Sequence, residues 1–206
     1  MDRPDISADM TCAVLLAAGG GSRFADRSST QSSARPAHKL QALLNGRPVY
    51  QWALEAAMQS GLAHVVVVTG AVALDLPGSV IEVHNVHWAN GQAGSLQLGV
   101  QAATELGADA IVVGLGDQPF VSADAWRALA GATTPIAVAT YGGRRANPVR
   151  LHRSIWALLP CEGDQGARSL MALRPELVGE VACSGSPADI DTMEDLQQWN
   201  SSMNSQ

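Results

Sequence analysis

Three short apolar runs constrain this chain more than anything else in it: CAVLL at 12–16, HVVVVT at 64–69 and AIVVGL at 110–115. Each reads as a buried strand, the middle one apolar on both faces as central parallel strands are. Helical patterns separate them. Pro48 opens one that runs through Ser60, with Val49, Trp52, Ala53, Ala56 and Ala57 on a common face and Gly61 as its stop. A second is expected from Ser95 to Leu106, with Ser95 as its N-cap. Strands alternating with helices imply a mostly parallel α/β sheet.

The remainder extends the pattern. A strand is expected around Val80–His84, a helix capped by Ser122 through Gly131, and a strand over Pro135–Tyr141. Residues 142–151, GGRRANPVRL, read as a turn and a returning strand, so the sheet is expected to be mixed. A short helix near Ser154–Leu159, another starting near Gln165, a strand around Val178–Ala182 and a closing helix from Met193 complete the chain. At 206 residues the length suits one domain. The expected organisation is an N-terminal tail over 1–10, a single Rossmann-like three-layer αβα domain over 11–200 and a C-terminal tail over 201–206. A polar, serine-rich insert over 26–38 is expected to be flexible.

A formal charge of −6 without a basic stripe argues against a nucleic-acid partner. Arg144 and Arg145 are the one arginine-rich spot, open to reading as a solvated hairpin tip or as a site for one phosphate group. Three widely spaced cysteines indicate neither a disulfide framework nor a zinc site, and the five histidines lack metal-ligand spacing and read as structural or exposed. The opening MDRPDISADM is no secretory signal, and no apolar run nears the roughly 18 residues of a membrane span. A cytoplasmic protein with no membrane partner is expected.

The first strand runs into LLAAGGGSRFA at 15–25. Three consecutive glycines suit positive φ or the close approach of another group. A glycine-rich turn leaving a buried strand aims several backbone N–H groups at one point, a cradle for phosphate oxygens, and Arg23 adds a forked positive charge. A dinucleotide fingerprint fails because Phe24 stands where its third glycine belongs and Thr69–Gly70 stand where an acidic residue should end the second strand. A Walker A loop fails because Lys39 lies between histidine and leucine. A tight turn without a ligand remains an alternative.

The loop resembles the opening motif of the MobA-like nucleotidyltransferase family, most closely its molybdenum cofactor cytidylyltransferase (CTP:molybdopterin cytidylyltransferase) branch. HWANGQAGSL (87–96), GDQPF (116–120), NPV (147–149), GDQGAR (163–168) and DIDTMEDL (189–196) follow in the family's order, and the resemblance spans about residues 11–199. The family's loop has a glycine where Ala25 stands, and its lysine follows sooner than Lys39 does here.

The resemblance implies that Arg23, Lys39 and Asp117 are catalytic and that Leu16, Ala17, Ala18, Gly19, Gly20, Gly21, Thr69, Gly70, Gly91 and Ser95 meet a nucleoside triphosphate. Gln118, Pro119, Asn147, Pro148, Asp164 and Gly166 would face the second substrate, a phosphorylated pterin-type acceptor. Asp117, just past the third apolar run, would hold Mg2+, which takes one or two carboxylates alongside substrate phosphates. Asp191 offers a second ligand on the same face as Asp189, although DxDTxEDL is also a sound helix start.

The reaction implied is attack of the acceptor's terminal phosphate on the α-phosphorus of CTP with loss of pyrophosphate, which needs alignment and charge neutralisation rather than a general base. Transient contact with a molybdoenzyme or its chaperone is implied as well. The alternatives are guanylyl or other nucleotide transfer to molybdenum cofactor or another phosphorylated acceptor, and, from a different class, a non-catalytic nucleotide-binding module.

Overall fold

β1 (Thr11–Ala17) is buried along its whole length, and its side chains sort by parity. Cys12, Val14 and Leu16 enter one apolar cluster, and Ala13, Leu15 and Ala17 enter another on the opposite face. A strand can do this only at the centre of a three-layer arrangement, because successive side chains point to opposite faces. The computed structural model describes residues 9–21, 24 and 38–203, and Arg23 and most of the serine-rich insert lie outside them.

β4 (Val65–Thr69) and β6 (Ala110–Leu115) flank β1, both parallel to it. β5 (Ile81–His84), β7 (Ile136–Tyr141), β8 (Arg144–His152) and β9 (Val178–Ala182) complete a seven-stranded sheet in the order β5-β4-β1-β6-β8-β7-β9. β8 alone runs antiparallel to its neighbours. The sheet is thus mixed and mostly parallel, as expected.

α1 (Val49–Gln59) and α3 (Ala123–Ala130) cover one face, and α2 (Gln92–Glu105) and α4 (Arg168–Leu173) the other. α1 buries Tyr50 and Leu54 beside Val49, Ala53 and Ala57, whereas Trp52 lies half-buried with its indole N–H donated to the Leu44 carbonyl. α3 is capped as expected, Ser122 Oγ accepting from the Ala125 N–H at 3.2 Å. α5 (Met193–Met203) packs Leu196 with Ile190, Leu44 and Phe24 in a third, smaller cluster. Among the described residues no helix is long and apolar enough to cross a membrane.

The structure corrects several boundaries. α2 starts at Gln92, so Ser95 lies one turn inside the helix and is not its cap. The Ala93 N–H instead donates to the Gly163 carbonyl at 2.9 Å, a remote backbone group doing the work expected of a local side chain. The segment after β8 is a 3-10 stretch, Arg153–Leu158. α4 begins at Arg168 rather than near Gln165, after Gly166 has turned the chain at φ +49. β2 (Leu43–Leu44) and β3 (Arg47–Pro48) form a small hairpin that the reading passed over. Its signal was present as Asn45–Gly46, both at positive φ, the usual chemistry of a two-residue hairpin turn.

Candidate active site

The carboxyl ends of β1 and β6 open into a cavity of about 490 Å³ lined by residues 16–21, Lys39, Gly91, Ser95, Asp117 and Asp164, among others. Two of the three glycines of the loop there have a steric or backbone reason. A Cβ on Gly20 would lie 2.6 Å from the Trp88 ring, and Gly21 adopts φ +62, so neither position accepts another residue without strain. Gly19 faces open space.

His38 braces this loop. Its Nδ1 accepts from the Leu40 N–H at 3.3 Å, so the neutral ring carries its proton on Nε2, which donates to the Gly19 carbonyl at 2.9 Å. Burial lowers the pKa of the imidazole, and the charge of Lys39 adds to the effect even though the Gly19 carbonyl acts the other way. Sequence reasoning treated His38 as one histidine among five. Its only sequence signal is adjacency to Lys39.

Lys39 is the hub. Its Nζ lies 2.6 Å from Asp117 Oδ2 and 2.7 Å from Asp191 Oδ1, so one ammonium joins two carboxylates separated by most of the sequence. Burial by itself would lower the lysine's pKa, but attraction and hydrogen bonding to the two aspartates raise it. Asp117 follows β6 through Gly116, whose N–H donates to the Leu16 carbonyl at 2.9 Å. Asp191 is held by the start of α5, where Asp195 Oδ2 accepts from the Asp191 N–H at 3.1 Å and from the Thr192 N–H at 2.8 Å. The Ile190 N–H donates to the Asp117 carbonyl at 2.9 Å and ties the two segments together. Asp189 has its pKa raised by partial burial and by the charges of Asp191 and Asp117.

The residues fit a hard divalent cation. Asp117 Oδ1 is buried and has no hydrogen-bond partner among the described residues, an expensive state for a carboxylate oxygen unless something else satisfies it. No cluster of three or more acidic, histidine or cysteine ligands exists among the described residues. One or two carboxylates with ligand phosphates is a donor set that Mg2+ accepts.

Other expected residues are placed less directly. Ser95 is buried, lines the cavity and accepts from Asn85 Nδ2 at 2.9 Å, a partner that sequence reasoning missed. Thr69 backs the site without lining it, its hydroxyl donated to Glu82 at 2.7 Å and its carbonyl accepting from the Asn85 N–H. Gly70 packs beneath Trp88, where a Cβ would sit 2.7 Å from the Trp88 Cβ. Gln118 and Pro119 are buried and line neither cavity of this end, Gln118 donating to the Pro187 carbonyl at 3.0 Å. Asn147, in a cis peptide with Pro148, and Gly166 line a neighbouring cavity. Arg145 is paired with Glu180 at 2.7 Å.

Comparison with known proteins accords with this geometry. The Bacillus subtilis (strain 168) purine catabolism protein PucB is 30% identical over 207 residues, covering 92% of this chain and 96% of PucB. A nucleotidyl transferase of Methanothermobacter thermautotroptrophicus superposes with a TM-score of 0.77 at 26% identity, covering 96% of this chain and 99% of that one. Rv0371c of Mycobacterium tuberculosis H37Rv, solved in complex with manganese, does so at 0.70 and 26%, covering 94% and 99%. Residues 13–180 match the MobA-like NTP transferase domain, and the chain belongs to that family.

Proposed function

We propose that the protein transfers CMP from CTP to the terminal phosphate of molybdopterin and releases pyrophosphate. One observation carries this reading: Lys39 joins Asp117 and Asp191 at the rim of a cavity floored by the glycine loop, with Asp117 Oδ1 left unsatisfied. A triphosphate lying along residues 18–21 meets backbone N–H groups and the Lys39 ammonium, and Arg23 is assigned by its place in the sequence as a second cation. Asp117 and Asp191 would hold Mg2+, which when bound neutralises charge on the phosphate oxygens. The manganese found with the Mycobacterium tuberculosis relative supports use of a divalent ion.

The acceptor's phosphate is ionised at neutral pH, so the residues need only align it and exclude water. His38, hydrogen-bonded at both ring nitrogens, holds the loop and moves no proton.

The test is pyrophosphate release with molybdopterin and each ribonucleoside triphosphate in turn. CTP is expected to support turnover, and Asp117→Ala to abolish it with the melting temperature little changed, because Asp117 sits in a turn at the sheet edge. Turnover at the wild-type rate in Asp117→Ala rejects the site. A preference for GTP moves the reading to guanylyl transfer.

A further inference from the structure

Trp88 stands between the exits of two strands, and a glycine on each is shaped to it. A Cβ on Gly70, just past β4, would fall 2.7 Å from the Trp88 Cβ, and a Cβ on Gly20, past β1, would fall 2.6 Å from Trp88 Cζ3 and 3.0 Å from Cη2. We propose that Trp88 is a positioning residue for the transfer: its ring sets where the glycine loop lies, and so where the loop's N–H groups meet a triphosphate. The proposal rests on the transferase reading and adds a residue that acts on the nucleotide through Gly20.

The root of the ring cannot retreat. Gly70 lies against it and against the Ala18 carbonyl, which a Cβ on Gly70 would approach to 2.8 Å. That carbonyl accepts from the Ala71 N–H at 3.0 Å, which ties the two strand exits together. The segment that carries the ring is anchored in the same place. The Asn85 N–H donates to the Thr69 carbonyl at 2.8 Å, the His87 N–H donates to Asn85 Oδ1 at 2.9 Å, and Asn85 Nδ2 donates to Ser95 at 2.9 Å. A ring held at its root and along its own segment offers Gly20 a fixed edge.

His38 grips the other side of the loop, its Nε2 donating to the Gly19 carbonyl at 2.9 Å and lying 3.2 Å from where a Cβ on Gly21 would be. The carbonyls of Ala18 and Gly19 are therefore both taken by the protein. In a trans peptide the N–H points opposite to the carbonyl, so the N–H groups of Gly19 and Gly20 turn away from those partners, and among the described residues nothing accepts from them. The loop lines the cavity with donors already placed, and donors fixed in advance need no rearrangement when charge arrives.

Gly20 can be small for the ligand's sake or for the ring's, and the two differ in outcome. If the ligand needs the room, a methyl group at position 20 does equal harm whatever stands at position 88. If the ring needs it, a shorter residue 88 gives the methyl group its space.

The experiment sets wild type, Gly20→Ala, Trp88→Leu and the double variant in a cycle. Calorimetry gives the affinity for CTP with Mg2+, and hydrogen exchange follows the amides of residues 18–21 without nucleotide. Melting temperature and steady-state pyrophosphate release with molybdopterin are measured alongside. Each single variant is expected to bind CTP about tenfold or more weakly, with KM for CTP raised by the same factor and KM for the acceptor unchanged, and Trp88→Leu to speed exchange of the loop. The double variant is expected to bind CTP about tenfold more tightly than Gly20→Ala. Trp88→Phe, whose ring ends short of the Cζ3–Cη2 edge, replaces Trp88→Leu in the cycle if the latter folds poorly. GTP replaces CTP if it is the nucleotide that the wild type turns over.

Additive losses in the double variant overturn the proposal and leave the transferase reading standing, as does wild-type CTP affinity or wild-type loop exchange in Trp88→Leu. Coupled losses, with no pyrophosphate released by the wild type from any nucleotide, do the reverse. A wild type that binds no ribonucleoside triphosphate overturns both.

Discussion

Lys39 lies between Asp117 and Asp191, the two carboxylates that would hold a divalent ion, so its ammonium and the ion would share one acidic cluster. Lys39→Met removes the ammonium and leaves two carboxylates facing one another, an arrangement expected to cost about 1–3 kcal/mol of stability in chelator. Excess Mg2+ should then raise the melting temperature of Lys39→Met by more than it raises that of wild type. Equal shifts would show that lysine and ion do not share a place. Asp117 and Asp191 were singled out because each stands in a short motif, GDQPF and DIDTMEDL, and the structure brings both to Lys39, which stands later in the chain than the family's loop places its lysine. His38 and Asn85 were not, because bracing a loop or holding Ser95 is a matter of proximity in space, and neither residue carries a local signature of it.

At the scale of elements, α2 lies so close to β1 that the residue at the crossing cannot bear a side chain. A Cβ on Gly99 would fall 2.5 Å from Val14 Cγ1. In an isolated helix Gly99→Ala would stabilise by about 1 kcal/mol, but overpacking a rigid core costs about 1–3 kcal/mol, so the substitution is expected to destabilise on balance. Chemical denaturation decides it, and a more stable variant would mean that the helix can lift from the strand at little cost. Buried strands such as β4 and β6 were plain in sequence because both faces are apolar. The start of α2 was misread because its cap is the carbonyl of Gly163, far along the chain, while a serine at position 95 offered a plausible local signal.

Over the whole molecule, alternation revealed a mostly parallel α/β sheet, and the turn at 142–143 its mixed character, but not the order of its strands. The same turn announced β8 beside β7, but the insertion of β8 against β6 pairs Ala110 with His152 across a long separation, which no local pattern encodes. The docking of the 163–164 loop on Gly91 is a contact of the same kind, and it joins the two cavities. Gly91 adopts φ +108, so Gly91→Ala strains the backbone and pushes the loop away. KM for both substrates should rise together in steady-state assays. A change in one alone would show that the cavities are independent.

The bond from the Ile190 N–H to the Asp117 carbonyl gives the polypeptide a calendar. Translation delivers Lys39 and Asp117 early and Asp191 late, so a growing chain on the ribosome carries an ammonium with half its counter-charge and a pocket without its second acid. The cluster therefore closes only after the last strand of the sheet has been made, because Asp191 lies beyond β9 in the chain.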